Sequence, residues 1–184
     1  PEIKPPPGVK SLDLTGFYLY AGLIDARCRS LLPTEIKFPK PEERKAEFER
    51  YALAATREDH RHQLSPELMA SEILVRDEKH LKKLTSHGFT IAHVVPQGRV
   101  SSGQSTIIAL RDAPLREVQL TESAGLTFRL FAPGGSIYPA TLMGTTAHLR
   151  QAVSDARRYA LHQKLYAAGE RVSRPADDVT WELL

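Results

Sequence analysis

Three short stretches of this sequence hold residues whose types and spacing could do chemistry. In "GLIDARCRS", residues 22–30, an apolar run delivers Asp25 and then Arg27, Cys28 and Arg29. Guanidinium forks match carboxylates and phosphates, so Arg27 and Arg29, together with Arg99, read as a candidate anion-binding cluster. Structural salt bridges would explain the same arginines more cheaply. His93 sits in "TIAHVVP", near the exit of an apolar segment, and "SSGQS" (101–105) follows it closely. Small-residue loops of that kind can turn backbone amides and hydroxyls toward an anion. The candidate ligand pocket is therefore Arg27, Arg29, His93, Arg99, Gln104 and Ser105, against the plainer reading of a core histidine beside a tight loop. Ser105, His93 and Asp112 have the residue types of nucleophilic catalysis, but "GQS" lacks the Gly-x-Ser-x-Gly elbow that strains a serine outward. Finally, His60 and His62 in "DHRHQ" are spaced to share a metal on a strand end. No apolar run precedes them, so a solvated loop is the simpler reading. No catalytic residue and no metal ligand is assigned.

The elements that must position these residues are α/β in pattern. Residues 1–10, "PEIKPPPGVK", are an extended arm, because consecutive prolines forbid a helix. "LDLTG" reads as a short strand and turn, and "FYLYAGLIDA" as a largely buried strand. Residues 33–40 are a Pro-punctuated loop, and 41–57 are helical by propensity, with Pro41 in the first turn. Ser65, Pro66 and Glu67 signpost a second helix that Gly88 stops. "FTIAHVVP" follows at once as a strand, the second half of a βαβ crossover, which favours a parallel sheet. "QGRVSSGQS" is a loop. "TIIALRD" and "REVQLTESAGLTFRLFA" are strands turning near Ser123–Gly125, and "PGGSIYP" is a second glycine loop. Residues 140–168 form a long helix ended by Gly169, with Leu142, Met143, Leu149, Val153 and Ala156 near one face.

Composition narrows the function classes. The 184 residues are 41% hydrophobic and 26% charged, with a formal net charge of +3, ordinary for a globular domain. Basic residues alternate with acids, as in "RDEKHLKK", and no basic stripe with interleaved aromatics appears, so nucleic acid is not an expected partner. No apolar stretch approaches the roughly 20 residues that cross a bilayer, so no membrane association is expected. No leader-like opening is present, although the first residue is Pro, and the compartment stays open. One cysteine excludes a disulfide framework and a Cys-rich zinc site. Cys28 reads as a small buried hydrophobe.

The phrases "LDLTGFYLYAGLIDARC", "LTSHGFTIAHVVPQGRVSSGQSTIIAL" and "YPATLMGTTAHLRQAVSDARRY", in that order, resemble the amidohydrolase superfamily, specifically its imidazolonepropionase-like branch. The likeness runs from about residue 11 to the C-terminus and is weakest across 33–64. It implies an α/β fold: a partial (β/α) barrel-like parallel sheet with a short N-terminal strand arm, an inserted β-hairpin and a long C-terminal helix. Residues 1–16 would be the arm with a β-sandwich-like strand, and 17–184 the partial barrel domain. In the family a His-x-His metal clamp falls where this sequence has Arg27 and Arg29. Guanidinium stays protonated and has no lone pair to give, and two cations there would repel a divalent ion. A full barrel usually needs about 250 residues, so the family's remaining ligands would lie on strands this sequence does not contain.

The expectation is an amidohydrolase-like protein or fragment that does not hydrolyse alone, with no cofactor in this chain and zinc only if other segments complete a site. One alternative is part of a metal-dependent hydrolase acting on C–N bonds, of the non-peptide or dipeptide amide type. Another is an anion-binding module. Open sheet edges are liabilities, so self-association or a complementary chain is expected, with a small anion as a further ligand.

Overall fold

A computed structural model describes residues 6–10, 12–33, 63–132 and 138–184. The expected helix at 41–57, the His60–His62 pair and most of the "PGGSIYP" loop lie outside them. The chain order is β1 (Leu23–Cys28), α1 (Glu78–Ser86), β2 (Phe89–Val94), β3 (Ser101–Ala109), α2 (Leu115–Val118), β4 (Gln119–Phe128), α3 (Leu142–Ala167) and α4 (Val179–Leu183). The strands form one sheet in the order β1-β2-β3-β4. The parallel sheet expected from the crossover holds only for β1 with β2, whereas β2–β3 and β3–β4 are antiparallel. The carboxyl ends of β1, β2 and β4 thus share one end of a mixed sheet, and among the described residues β1 and β4 are its edges.

Local signals account for the parts that came out as expected. Asp77 caps α1 by accepting from the Lys79 N–H, and Gly88 takes a left-handed φ of +85° that lets the chain reverse into β2. Ala92 and Val94 of β2, Ile108 of β3 and Cys28 of β1 bury one face of the sheet with Leu81 of α1, Leu31 and Ala70. α3 begins where Thr141 accepts from the Gly144 N–H at 3.0 Å. It ends at Ala167, with Gly169 beyond it.

Five expectations are not met. Phe17 to Tyr20 do not belong to the buried strand: Tyr18 is 87% exposed, and β1 starts only at Leu23. The expected strand in "LDLTG" is likewise absent, though its turn is present, with the Phe17 N–H donating to the Leu14 carbonyl. Ser65 does not cap a helix. Instead residues 63–70 run beside the first half of β3, where Gln104 donates to the Leu68 carbonyl and accepts from the Ala70 N–H. That pairing consumes the backbone groups a helix would need, and it draws "SSGQS" out of the expected loop into β3. The turn expected near Ser123–Gly125 is absent as well. β4 continues through it with a bulge, Thr121 to Gly125 lying opposite Ile107 to Ser105, and the β3–β4 hairpin closes instead through residues 110–118.

The buried face of α3 also differs from the apolar residues expected on it. Thr145, His148, Ala152, Asp155 and Ala156 face inward, at spacings of three and four that mark one helix stripe. Ala152 packs with Leu64 and Val100, flanked by Leu149, Phe131 and Trp181. The polar members of the stripe are satisfied. Thr145 donates to the Phe131 carbonyl at 2.7 Å, Asp155 accepts from Gln151 and pairs with Arg158, and the Tyr138 ring stands edge-on to His148. Met143, expected inside, is 85% exposed.

Gly103 is the tightest point of this packing. Its φ is +112°, and a β-carbon there would run into the Leu68 carbonyl. Gly103→Ala is therefore expected to destabilise the protein by at least about 2 kcal/mol, read as a lower urea midpoint with an unchanged slope. An unaltered midpoint would show that the 63–70 segment does not hold this position.

Candidate functional site

A break in the β1–β2 register between Asp25 and Cys28 decides what the carboxyl end of β1 can do. Cys28 is 1% exposed and belongs to the core, whereas its neighbour Arg27, inside the irregular stretch, is exposed. The Arg27 N–H is fixed by the Asp25 carboxylate at 3.0 Å. Arg27 lines a cleft of about 400 Å³ at the shared carboxyl end of the sheet, with Val95 and Pro96 beyond β2 and Phe128, Arg129 and Phe131 at the end of β4. The Arg129 N–H donates to the Val100 carbonyl at 2.8 Å, and its guanidinium lies 4.7 Å from the centre of the Phe131 ring. Among the described residues neither Arg27 nor Arg129 forms an ion pair with a carboxylate.

The other residues singled out from the sequence go elsewhere. His93 bridges three strands: its Nδ1 lies 3.2 Å from the Ala26 carbonyl and its Nε2 lies 2.9 Å from Ser105 Oγ. A carbonyl can only accept, so Nδ1 carries a proton, and in the neutral ring Nε2 faces the serine hydroxyl as an acceptor. Ser105 Oγ, on a residue 3% exposed, also lies 3.2 Å from the Gly125 carbonyl, to which its one proton goes when it does not go to Nε2. His93 thus links β1, β2 and β3, and the Ser105 hydroxyl reaches β4 as its alternative acceptor. Asp112 follows the opposite end of β3, beyond Ala109, and neither His93 nitrogen reaches it, so the trio of nucleophilic catalysis is not assembled. Gln104 points to the other face, where its Nε2 donates to the Pro66 carbonyl. Arg29 follows β1 as an exposed residue outside the cleft lining, and Arg99 is half-buried in the turn closed by Ser102. Only Arg27 of the expected pocket lines the cleft.

Arg129 and Phe131 escaped the sequence reading because no local motif marks them. Arg129 reaches the cleft only through the pairing of β4 with β3. The nearest signal was the Phe-Arg-Leu-Phe pattern at the end of an apolar strand, which also fits an ordinary surface edge.

Zinc, which the family resemblance implies, was tested against the donors present. The carboxyl end of β1 offers Arg27 and a buried thiol, His93 is engaged at both nitrogens, and no cluster of three or more His, Cys, Asp or Glu side chains occurs among the described residues. Guanidinium cannot ligate a metal, so this donor set does not fit zinc.

No family model matches the sequence, and no curated protein matches it. Among solved structures the fold is similar to a crystal structure of an amidohydrolase from Thermotoga maritima MSB8, at a TM-score of 0.70 and 19% identity. The match covers 99% of this chain and 45% of that one, so the chain spans less than half the length of that enzyme. The likeness is one of fold, a mixed α/β arrangement with a four-stranded sheet and a long C-terminal helix. No helix among the described residues is long and apolar enough to cross a membrane.

Burial pushes the Cys28 thiol up from its ordinary value of 9.0, against a smaller opposing contact from Ser30. The fold therefore holds the neutral thiol. Its contribution is complete below the ordinary thiol value and fades as the pH climbs through the raised one. Iodoacetamide at pH 8 is expected to modify Cys28 far more slowly in the native protein than in urea. Equal rates would mean that the end of β1 is open to solvent.

Proposed function

We propose that this chain is an amidohydrolase-like unit, of the imidazolonepropionase-like branch, that does not hydrolyse substrate through a metal of its own. The observation that carries this reading is Arg27: at the carboxyl end of β1, where the resemblance puts the first arm of a metal clamp, an exposed guanidinium lines the cleft. The three sequence phrases, met in order, support the branch, and the likeness to a solved amidohydrolase supports the fold. Elemental analysis of the purified protein after zinc loading and desalting is expected to return far less than one zinc per chain. Stoichiometric zinc that is lost on substitution near β1 would refute this reading. It would instead support the alternative, a metal-dependent hydrolase of C–N bonds to which this chain contributes part of the site.

A second proposal concerns partners. Among the described residues β1 is an edge strand with exposed Leu23 and Ile24, and Phe17, Tyr18, Leu19 and Tyr20 precede it, all largely exposed. An unpaired strand edge beside so much apolar surface invites pairing with another chain. We infer self-association or a complementary chain at this edge. Size-exclusion chromatography with light scattering is expected to give a mass above the 20.5 kDa of one chain, and Tyr18→Lys with Tyr20→Lys is expected to lower it. A monodisperse monomer at high concentration would rule out self-association.

A further inference from the structure

The geometry points to a binding site for a small carboxylate with an apolar body in the cleft between β1, β2 and β4. This goes beyond the fold-level proposal and does not depend on whether the chain ever belongs to a hydrolase. Two arginines line one concavity, Arg27 from the end of β1 and Arg129 from the end of β4. Neither has a carboxylate partner among the described residues. Each is anchored by its own backbone, Arg27 through Asp25 and Arg129 through Val100, and the Phe131 ring fixes the Arg129 plane from one side. A guanidinium fork held against a ring, as Arg129 is, recognises a two-oxygen anion at less entropic cost than a free one.

The rest of the lining argues against a bare inorganic ion. Val95, Phe128, Leu130 and Phe131 line it beside the two arginines, and Phe128 is 43% and Leu130 65% exposed. A volume of about 400 Å³ falls within the range of small-molecule pockets. An arylalkyl carboxylate would place its charge beside the arginines and its ring against Phe128, using both halves of the cleft. A phosphate ion would use only one half.

Isothermal titration of the full chain with phenylacetate, phenylacetamide and inorganic phosphate separates these contributions. Phenylacetate is expected to bind saturably, with a Kd on the order of 1 mM. Arg27→Ala and Arg129→Gln should each weaken it about tenfold or more. The Gln variant keeps much of the stem over Phe131 while removing the charge. Arg171→Ala, at an exposed position outside the cleft, should leave binding unchanged, and melting curves should show all three variants folded. Absence of saturable phenylacetate binding would overturn the proposal, as would binding that survives both cleft substitutions. Equal binding of phenylacetamide would show that charge is not read, and phosphate binding tighter than phenylacetate would show that the apolar wall is not used. Either result overturns the assignment. Zinc content does not enter the readout, so this proposal and the fold-level one can fail separately.

Discussion

β3 has no free edge anywhere along its length, and the rest of the structure is arranged around that fact. Its second half pairs with β2, its first half pairs on the same side with residues 63–70, and β4 covers the other side. Backbone groups left unpaired in the interior cost about as much as a lost hydrogen bond each, so a strand flanked on both sides is the natural centre of the sheet. Gly103 is what allows the 63–70 segment to approach closely enough to do its share. Once that segment is in place, Leu64 and Val100 provide the floor on which α3 lays Ala152, and the C-terminal residues close over it. The same strand sets the position of β4, and through β4 the position of Arg129.

Elements specified by signals within their own few residues were legible in the sequence. The stop at Gly88, the strand that follows it and the limits of α3 rest on a cap, a left-handed glycine and an apolar run, all local. The segment from Ser65 to Arg76 carries an equally good local signal for a helix and does not form one. Its backbone has a better use beside β3, and nothing nearby announces that an unpaired strand edge is waiting for it. "SSGQS" misled for the same reason: small residues that read as a loop are also what a strand needs when another backbone crosses it closely. The composition of the apolar run before β1 favours burial, but hydrophobic residues do reach the surface, and Phe17 to Tyr20 lie outside the sheet with no described residue covering them.

The inner stripe of α3 teaches a related point. Selecting Leu, Met and Val as the buried face assumes that apolar residues always win the interior. Here Thr145, His148 and Asp155 are inside because each finds a partner there, and a hydrogen-bonded polar group costs little to bury. Met143 stays out because it sits on the face turned away from Leu64 and Val100. Which face of a helix packs is decided by the surface it meets, and that surface was assembled from residues far away in sequence.

The cleft shows how little separates two opposite chemistries on one scaffold. The end of β1 puts Cys28 in the core and Arg27 in the cleft lining, so whichever side chain occupies position 27 sets the sign of the site. An imidazole there has a lone pair for a cation, whereas a guanidinium has only donors and a permanent positive charge. With Arg129 arriving from β4, like charges gather at the end of the sheet. They raise the cost of placing a divalent cation between them and lower the cost of an anion by the same Coulombic argument. A likeness of fold leaves that sign undetermined, because it is carried by two side chains, and in this sequence both are arginine.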